Sequence, residues 1–204
     1  PDDPLGRICR DRECSLYWSL LAAERLDALC REVALDVVEA PDCFAEAYVA
    51  LRRRGLVSGA AGVPLTITLH SPIHEIAQYN RLRRTEGWIR RRGALEDDAL
   101  WRADGISAPS QLLGDLVFAR LGLDRDARPW AHIPNPMDPE RLTPPEGAPE
   151  ARNPAPTLLY VGRIEPRKGV ATLVEAALPL LRAHPDLTVE LVGRDSPSGD
   201  TPLT

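Results

Sequence analysis

Apolar residues recur at helical spacing from Leu16 to Val33, with Leu16, Leu20, Leu21, Leu26, Leu29 and Cys30 marking the stripe. Asp36-Val37-Val38-Glu39-Ala40 predicts a short strand. Pro41-Asp42 then opens a helix through about Arg53, since Pro and Asp favour helix starts. The run Val63-Pro64-Leu65-Thr66-Ile67-Thr68-Leu69 predicts a second strand, ending at His70. A polar helix follows over Ala94 to Arg102, then the strand-like Gly105-Ile106-Ser107-Ala108. Pro109-Ser110 starts a helix reaching about Leu121, and Trp130-Ala131-His132-Ile133 predicts a further short strand.

Strands alternating with helices predict an α/β fold: a parallel sheet with helices on both faces. Ligands of such sheets lie beyond the carboxyl ends of the strands. That rule gathers His70, Ser110, Asn135 and the turn from Arg163 to Lys168 on one functional edge. From Pro134 to Pro156 the periodicity vanishes and proline crowds the chain, which reads as a stiff linker. Thr157-Leu158-Leu159-Tyr160-Val161 begins a second lobe. Its helix carries Val170, Leu173, Val174, Ala177, Leu178 and Leu181 at i, i+3, i+4 spacing. Pro179 within that helix predicts a kink or a weakened last turn. Leu187 to Gly193 predicts the next strand, and one βαβ unit cannot cover both faces of a sheet, so this lobe is expected to be incomplete. The expected boundaries are an N-terminal Rossmann-like lobe over residues 1–138 that lacks its first strands, a linker over 139–156, and the start of a C-terminal lobe over 157–204.

Composition narrows the partners. With 44% hydrophobic and 27% charged residues in 204, the chain can build an ordinary core. A formal charge of −5 and only 5% aromatic residues argue against a nucleic-acid partner. Cys9, Cys14, Cys30 and Cys43 complete no metal-ligand spacing and read as free thiols in a reducing compartment. No apolar run approaches the ~20 residues of a membrane span, and no leader pattern is present. A cytoplasmic location is expected. The chain opens on Pro1-Asp2-Asp3-Pro4, without Met, and reads as an internal or processed piece.

The richest chemistry lies in Val161-Gly162-Arg163-Ile164-Glu165-Pro166-Arg167-Lys168-Gly169. Strand, basic turn and helix together form an anion site, because the free N–H groups and dipole of a helix start favour negative charge. Arg163 offers a planar fork of donors and Lys168 a point charge, a pairing suited to a diphosphate. Glu165 is expected to orient Arg167 or Lys168.

This turn resembles the C-lobe start of the retaining GT-B glycosyltransferases of family 4, and four further segments match in order. Thr68-Leu69-His70-Ser71-Pro72 is similar to the strand ending in His near the sugar donor. Asp104-Gly105-Ile106-Ser107-Ala108-Pro109-Ser110 resembles the family's Ala-Pro-Ser junction. Ile133-Pro134-Asn135-Pro136-Met137-Asp138 resembles its Pro-Asn-Gly segment, and Leu191-Val192-Gly193 its Leu-Val-Gly strand. The resemblance implies two Rossmann-like lobes, a nucleoside-diphosphate-sugar donor, and transfer to an acceptor hydroxyl with retention of configuration. It implies that Gly162, Arg163 and Lys168 hold the diphosphate, aided by Ser110 and Asn135. It also implies that His70 contacts the donor sugar. The acceptor would be a glycan, a lipid-linked sugar or a small molecule. No metal is required where cations and a helix end stabilise the leaving group. The family's glycine-rich opening loop and paired C-lobe glutamates have no counterpart here, so the chain resembles a fragment expected to be inactive alone. Gly199 hints at the mobile loop that follows the Leu-Val-Gly strand.

Other residues have plainer readings. Asp124-Arg125-Asp126 is read as a solvated loop rather than a metal motif, and His74, His132 and His184 as structural. Glu39 is weighed as an acceptor contact and set aside. Arg81, Arg83, Arg84, Arg90, Arg91 and Arg92, with Trp88, either form a solvated helix face paired with Glu86, Glu96, Asp97 and Asp98 or lie on an anionic membrane face. The first is preferred. Peripheral association with the inner face of the membrane follows from the second. Two rival functions share the fold: a sugar-nucleotide epimerase, and a non-catalytic nucleotide-binding relative.

Overall fold

The computed structural model describes residues 14–54, 59–83, 85–142 and 155–194. The chain divides into two compact units, Pro1–Glu75 with Arg84–Asn135, and Ile76–Arg83 with Pro136–Thr204. Most of the proline-rich stretch, Cys9, Arg84 and Gly199 lie outside the described residues.

In the first unit, helix α1 (Ser15–Glu32) leads to strand β1 (Val38–Pro41), a 3-10 turn (Cys43–Ala45) and α2 (Tyr48–Arg53). Strand β2 (Leu65–Thr68) follows, then the start of α3 (Ile73–Tyr79), α4 (Gly87–Arg102), β3 (Gly105–Ala108), α5 (Gln111–Leu121) and β4 (Trp130–His132). The four strands pair in parallel in the order β1-β2-β3-β4. Ala40 stands opposite Ile67, Ile67 opposite Ile106, and Ile106 opposite Trp130.

That strand order has a consequence for packing. Every step across the sheet goes the same way, and right-handed crossovers then send the connecting helices to the same face. The core matches this rule. Leu65, Ile67, Ile106 and Ala108 pack with Ala23 of α1, Ala50 and Leu51 of α2, Ala99 and Leu100 of α4, and Val117 and Phe118 of α5. Burying each large side chain of this set contributes roughly 1.5–3 kcal/mol. The alternate strand positions carry Glu39, Thr66, Thr68 and Ser107, of which Glu39 is exposed and the others half-buried. Thr68 Oγ1 donates to Glu39 Oε1 and shares a 2.7 Å hydrogen bond with Ser107 Oγ. Among the described residues, α1, α2, α4 and α5 all contribute to the core on one face of this sheet. The other bears a polar ladder beside an open recess of about 260 Å³ lined in part by Glu39, Thr66, Ser107 and Ala131.

Three boundaries differ from expectation. Strand β1 starts at Val38 and keeps Pro41, which an edge strand tolerates because a missing N–H costs it no ladder bond. The helix expected from Pro41 is interrupted at Phe44, whose φ of 62° and ψ of 9° are left-handed. Helix α4 begins at Gly87 rather than Ala94, anchored by buried Ile89 in its first turn.

The second unit pairs β5 (Thr157–Val161) in parallel with β6 (Thr188–Val192), joined by a 3-10 turn (Pro166–Lys168) and α6 (Val170–Ala183). Helix α6 buries Val170 and Ala177. It runs through Pro179 to Ala183, and the His184 N–H still bonds the Leu180 carbonyl at 2.8 Å. Leu159, Val161 and Val192 stay exposed on the strand pair.

One close approach can be tested. A Cβ at Gly114 of α5 would overlap the Trp130 indole, which also packs edge-on to Phe118 with centroids 5.2 Å apart. Gly114→Ala is expected to lower stability by about 1–3 kcal/mol through overpacking, despite the better helix propensity of Ala. Urea unfolding checks this, and an unchanged midpoint would contradict the packing described.

Candidate functional site

The loops at the carboxyl ends of β1 and β2 are tied together by two buried carboxylates. Asp42 follows β1 and is 2% exposed; its Oδ1 accepts the His70 N–H at 3.0 Å and its Oδ2 accepts the Ser71 N–H at 3.1 Å. Glu96 of α4 is 1% exposed; its Oε2 accepts the Ile73 N–H at 2.7 Å and its Oε1 the Phe44 N–H at 3.2 Å. Four backbone donors from two loops thus converge on two side chains. His70 itself is exposed.

Strain accompanies the clasp. Phe44 and Ala45 have φ values of 62° and 51°, and each such non-glycine residue costs about 1–3 kcal/mol. The Arg92 guanidinium lies over the Phe44 ring, 4.3 Å from its centroid.

Both carboxylates depart from the sequence expectation. Asp42 caps no helix with its side chain. Glu96 lies on no solvated helix face: Ile89, Gly93, Glu96 and Leu100 share the buried stripe of α4. That spacing was the available signal: Glu96 sits where the helix turns inward. Of the other acids expected to pair with the arginine cluster, Asp98 binds Arg52 and Arg102 at 2.9 and 2.8 Å. Asp97 binds Arg120 and His74, and Glu86 accepts the Trp88 indole N–H at 2.6 Å.

Burial pushes the Glu96 carboxyl up to about 8; the neighbouring Asp42 charge adds to this, while Arg92 and the two N–H groups oppose it. Burial also pushes Asp42 up to about 6, against the pull of the His70 and Ser71 N–H groups and of the His70 ring. Burial, with Asp42, Glu46 and Glu96 nearby, raises the Cys43 thiol.

Ser110 and Asn135 belong to the same unit, beyond the ends of β3 and β4. Ser110 Oγ caps α5 by accepting the Leu113 N–H at 3.2 Å, and Asn135 is exposed. His132 Nε2 lies 3.3 Å from the Pro109 carbonyl, and His74 Nε2 lies 3.3 Å from Asp97. In the Asp124-Arg125-Asp126 loop, Asp124 accepts the Asp126 N–H while Arg125 bonds Asp115 and stacks over Trp130.

The basic turn lies in the second unit. The Gly162 N–H bonds the Val192 carbonyl and the Ile164 N–H the Arg194 carbonyl, each at 2.9 Å, fixing the turn to the end of β6. A 3-10 turn intervenes before the helix, and Gly169, at φ 71°, is the N-cap of α6. Lys168 therefore immediately precedes the cap, at the positive end of the helix dipole. Glu165, 3% exposed, pairs with Arg167 Nε at 2.7 Å and more loosely with Arg163 at 3.4 Å. Asn80 accepts the Arg167 N–H at 3.2 Å and donates to Glu165 at 3.5 Å. Glu165 thus draws Arg167 inward, as expected of an orienting residue. Arg163 remains more than half exposed, and among the described residues no ion pair engages exposed Lys168.

A family model described as Glycosyltransferase Family 4 matches residues 4–141, two thirds of the chain. The chain belongs to glycosyltransferase family 4. Family 4 membership gives it a glycosyltransferase-type function, which entails binding a sugar donor and an acceptor. The match spans β1 to β4 and both clasped loops and ends before β5, so the basic turn of this family 4 chain lies beyond it. No curated protein matches the chain. Among the described residues no helix is long and apolar enough to cross a membrane, and no three His, Cys, Asp or Glu residues cluster as a metal would need.

The clasp makes stability depend on pH. Folded Glu96 keeps a proton between about pH 5 and about pH 8 that the unfolded chain has released, so stability falls as pH rises through this window. The slope is on the order of 1.4 kcal/mol per pH unit. Asp42 adds to the fall up to about pH 6. Denaturant midpoints of wild type and Glu96→Gln across this range check it: the variant should flatten the slope, and a wild type that gains stability over the same range would contradict it.

Proposed function

We propose that this chain is the donor-gripping and acceptor-side part of a retaining GT-B glycosyltransferase, which moves a sugar from a nucleoside diphosphate to an acceptor hydroxyl. The observation that carries this reading is the β5–turn–α6 unit, where Arg163 and Lys168 present exposed positive charge at a helix start while Glu165 pairs more closely with Arg167 than with Arg163. Arg163 and Lys168 would bind the diphosphate and stabilise the charge that develops as it leaves, with the Gly162 turn giving it backbone access. His70 would contact the donor sugar. Ser110 and Asn135 would contribute through the loops they stabilise or end.

Two cations and a helix terminus suffice to hold the leaving group, so no divalent cation is part of this mechanism. The acceptor is a glycan, a lipid-linked sugar or a small molecule. Cytoplasmic placement, with peripheral contact at the inner membrane face, belongs to the same reading. So do the assignments of residues 1–138 to an acceptor-side lobe, 139–156 to a linker and 157–204 to the start of a donor lobe. The transfer is proposed for the protein that contains this chain, and the chain alone is expected to be inactive.

A panel of UDP-, GDP- and ADP-sugars tests the reading by thermal shift and diphosphate release with that protein. One donor should stabilise it and be turned over without added metal. Arg163→Ala with Lys168→Ala should lower turnover by roughly 10²–10³-fold, the scale of losing preorganised charge stabilisation. Binding and turnover that survive the double substitution would overturn the phosphate assignment.

A further inference from the structure

The region around His70 holds two side chains that neither a solvated surface nor a hydrophobic core accounts for. Asp42 and Glu96 are buried carboxyl groups that accept hydrogen bonds from the backbone N–H groups of His70, Ser71, Ile73 and Phe44. Packing alone would favour apolar residues there, because burying a carboxylate is costly unless its oxygens are well satisfied. Hydrogen bonds from backbone N–H groups to carboxyl oxygens are directional, so the pair fixes backbone position rather than filling volume.

The geometry points to Asp42 and Glu96 as positioning residues for sugar transfer, setting the backbone from His70 to Ile73 and, from the other side, the strained turn at Phe44. The inference rests on the reading above for the role of His70, but the clasp itself does not. Asp42 reaches the residue whose ring would meet the donor sugar, and Glu96 spans the far end of that loop and the β1 turn. Because its two oxygens serve two different loops, one substitution at Glu96 disconnects them. The groups facing the pair are His70 on the loop, Cys43 and Glu46 on the β1 turn, and Arg92 on α4. A misplacement of about 1 Å at such a loop costs on the order of 10²-fold in rate.

The test uses the full-length gene product carrying Asp42→Asn or Glu96→Gln, which keep side-chain size and replace one of the two acceptor oxygens with an NH2 donor. Val117→Ala serves as a control, because it should weaken the buried core at α5 without touching either loop. Amide hydrogen exchange is read at residues 42–46 and 70–73, and kcat and KM are read with the UDP-, GDP- or ADP-sugar that wild type turns over. The expected result is exchange faster by roughly tenfold or more at those amides in both clasp variants. With it, kcat should fall roughly tenfold or more while donor KM changes less than about threefold. Val117→Ala should lose stability and retain kcat. Unchanged exchange at 70–73 overturns the clasp. Faster exchange with wild-type kcat, or an equal kcat loss in Val117→Ala, overturns the positioning role. If wild type turns over no donor, the transferase reading fails, while the exchange arm still decides whether the carboxylates hold the loop.

Discussion

The handedness of the strand crossovers organises the first unit. Parallel strands laid down in sequence order can only send right-handed connections to one side, and the helices α1, α2, α4 and α5 accordingly share one core. The alternate side chains of the strands face away from that core, which is why Glu39, Thr68 and Ser107 can form a polar ladder across three strands. The same constraint lines up the carboxyl ends of all four strands, so the loops after β1 and β2 emerge as neighbours. Once adjacent, they can share buried acceptors from Asp42 and from α4.

Those acceptors connect stability with chemistry. A loop that is held in one conformation needs its backbone donors satisfied without the regularity of a strand or helix. Asp42 and Glu96 do this at the expense of carboxyl groups pushed well above their ordinary range and of a left-handed phenylalanine. The basic turn of the second unit uses the opposite sign. There, buried Glu165 neutralises Arg167 and leaves Arg163 and Lys168 as the charges presented at the start of α6.

Much of this was legible in the sequence. Thr157–Val161 and Gly105–Ala108 form strands with the bounds their β-rich runs indicate, and Ser110 caps the helix that Pro109-Ser110 announces. The family resemblance read from short motifs agrees with a family match over the first two thirds of the chain. What escaped was long-range. Local rules make Asp42 a helix starter, whereas its partners lie 28 and 29 residues away. Charge counting makes Glu96 a surface residue, although its spacing from Ile89 and Leu100 already placed it on the inward stripe.

The central claim is that Arg163 and Lys168 receive the diphosphate of a sugar donor. The most direct measurement is a crystal structure of the full-length protein with the bound nucleoside diphosphate. The account predicts both phosphates within hydrogen-bonding distance of Arg163 and Lys168, at the start of α6. A diphosphate bound elsewhere, with both side chains still in solvent, would contradict it.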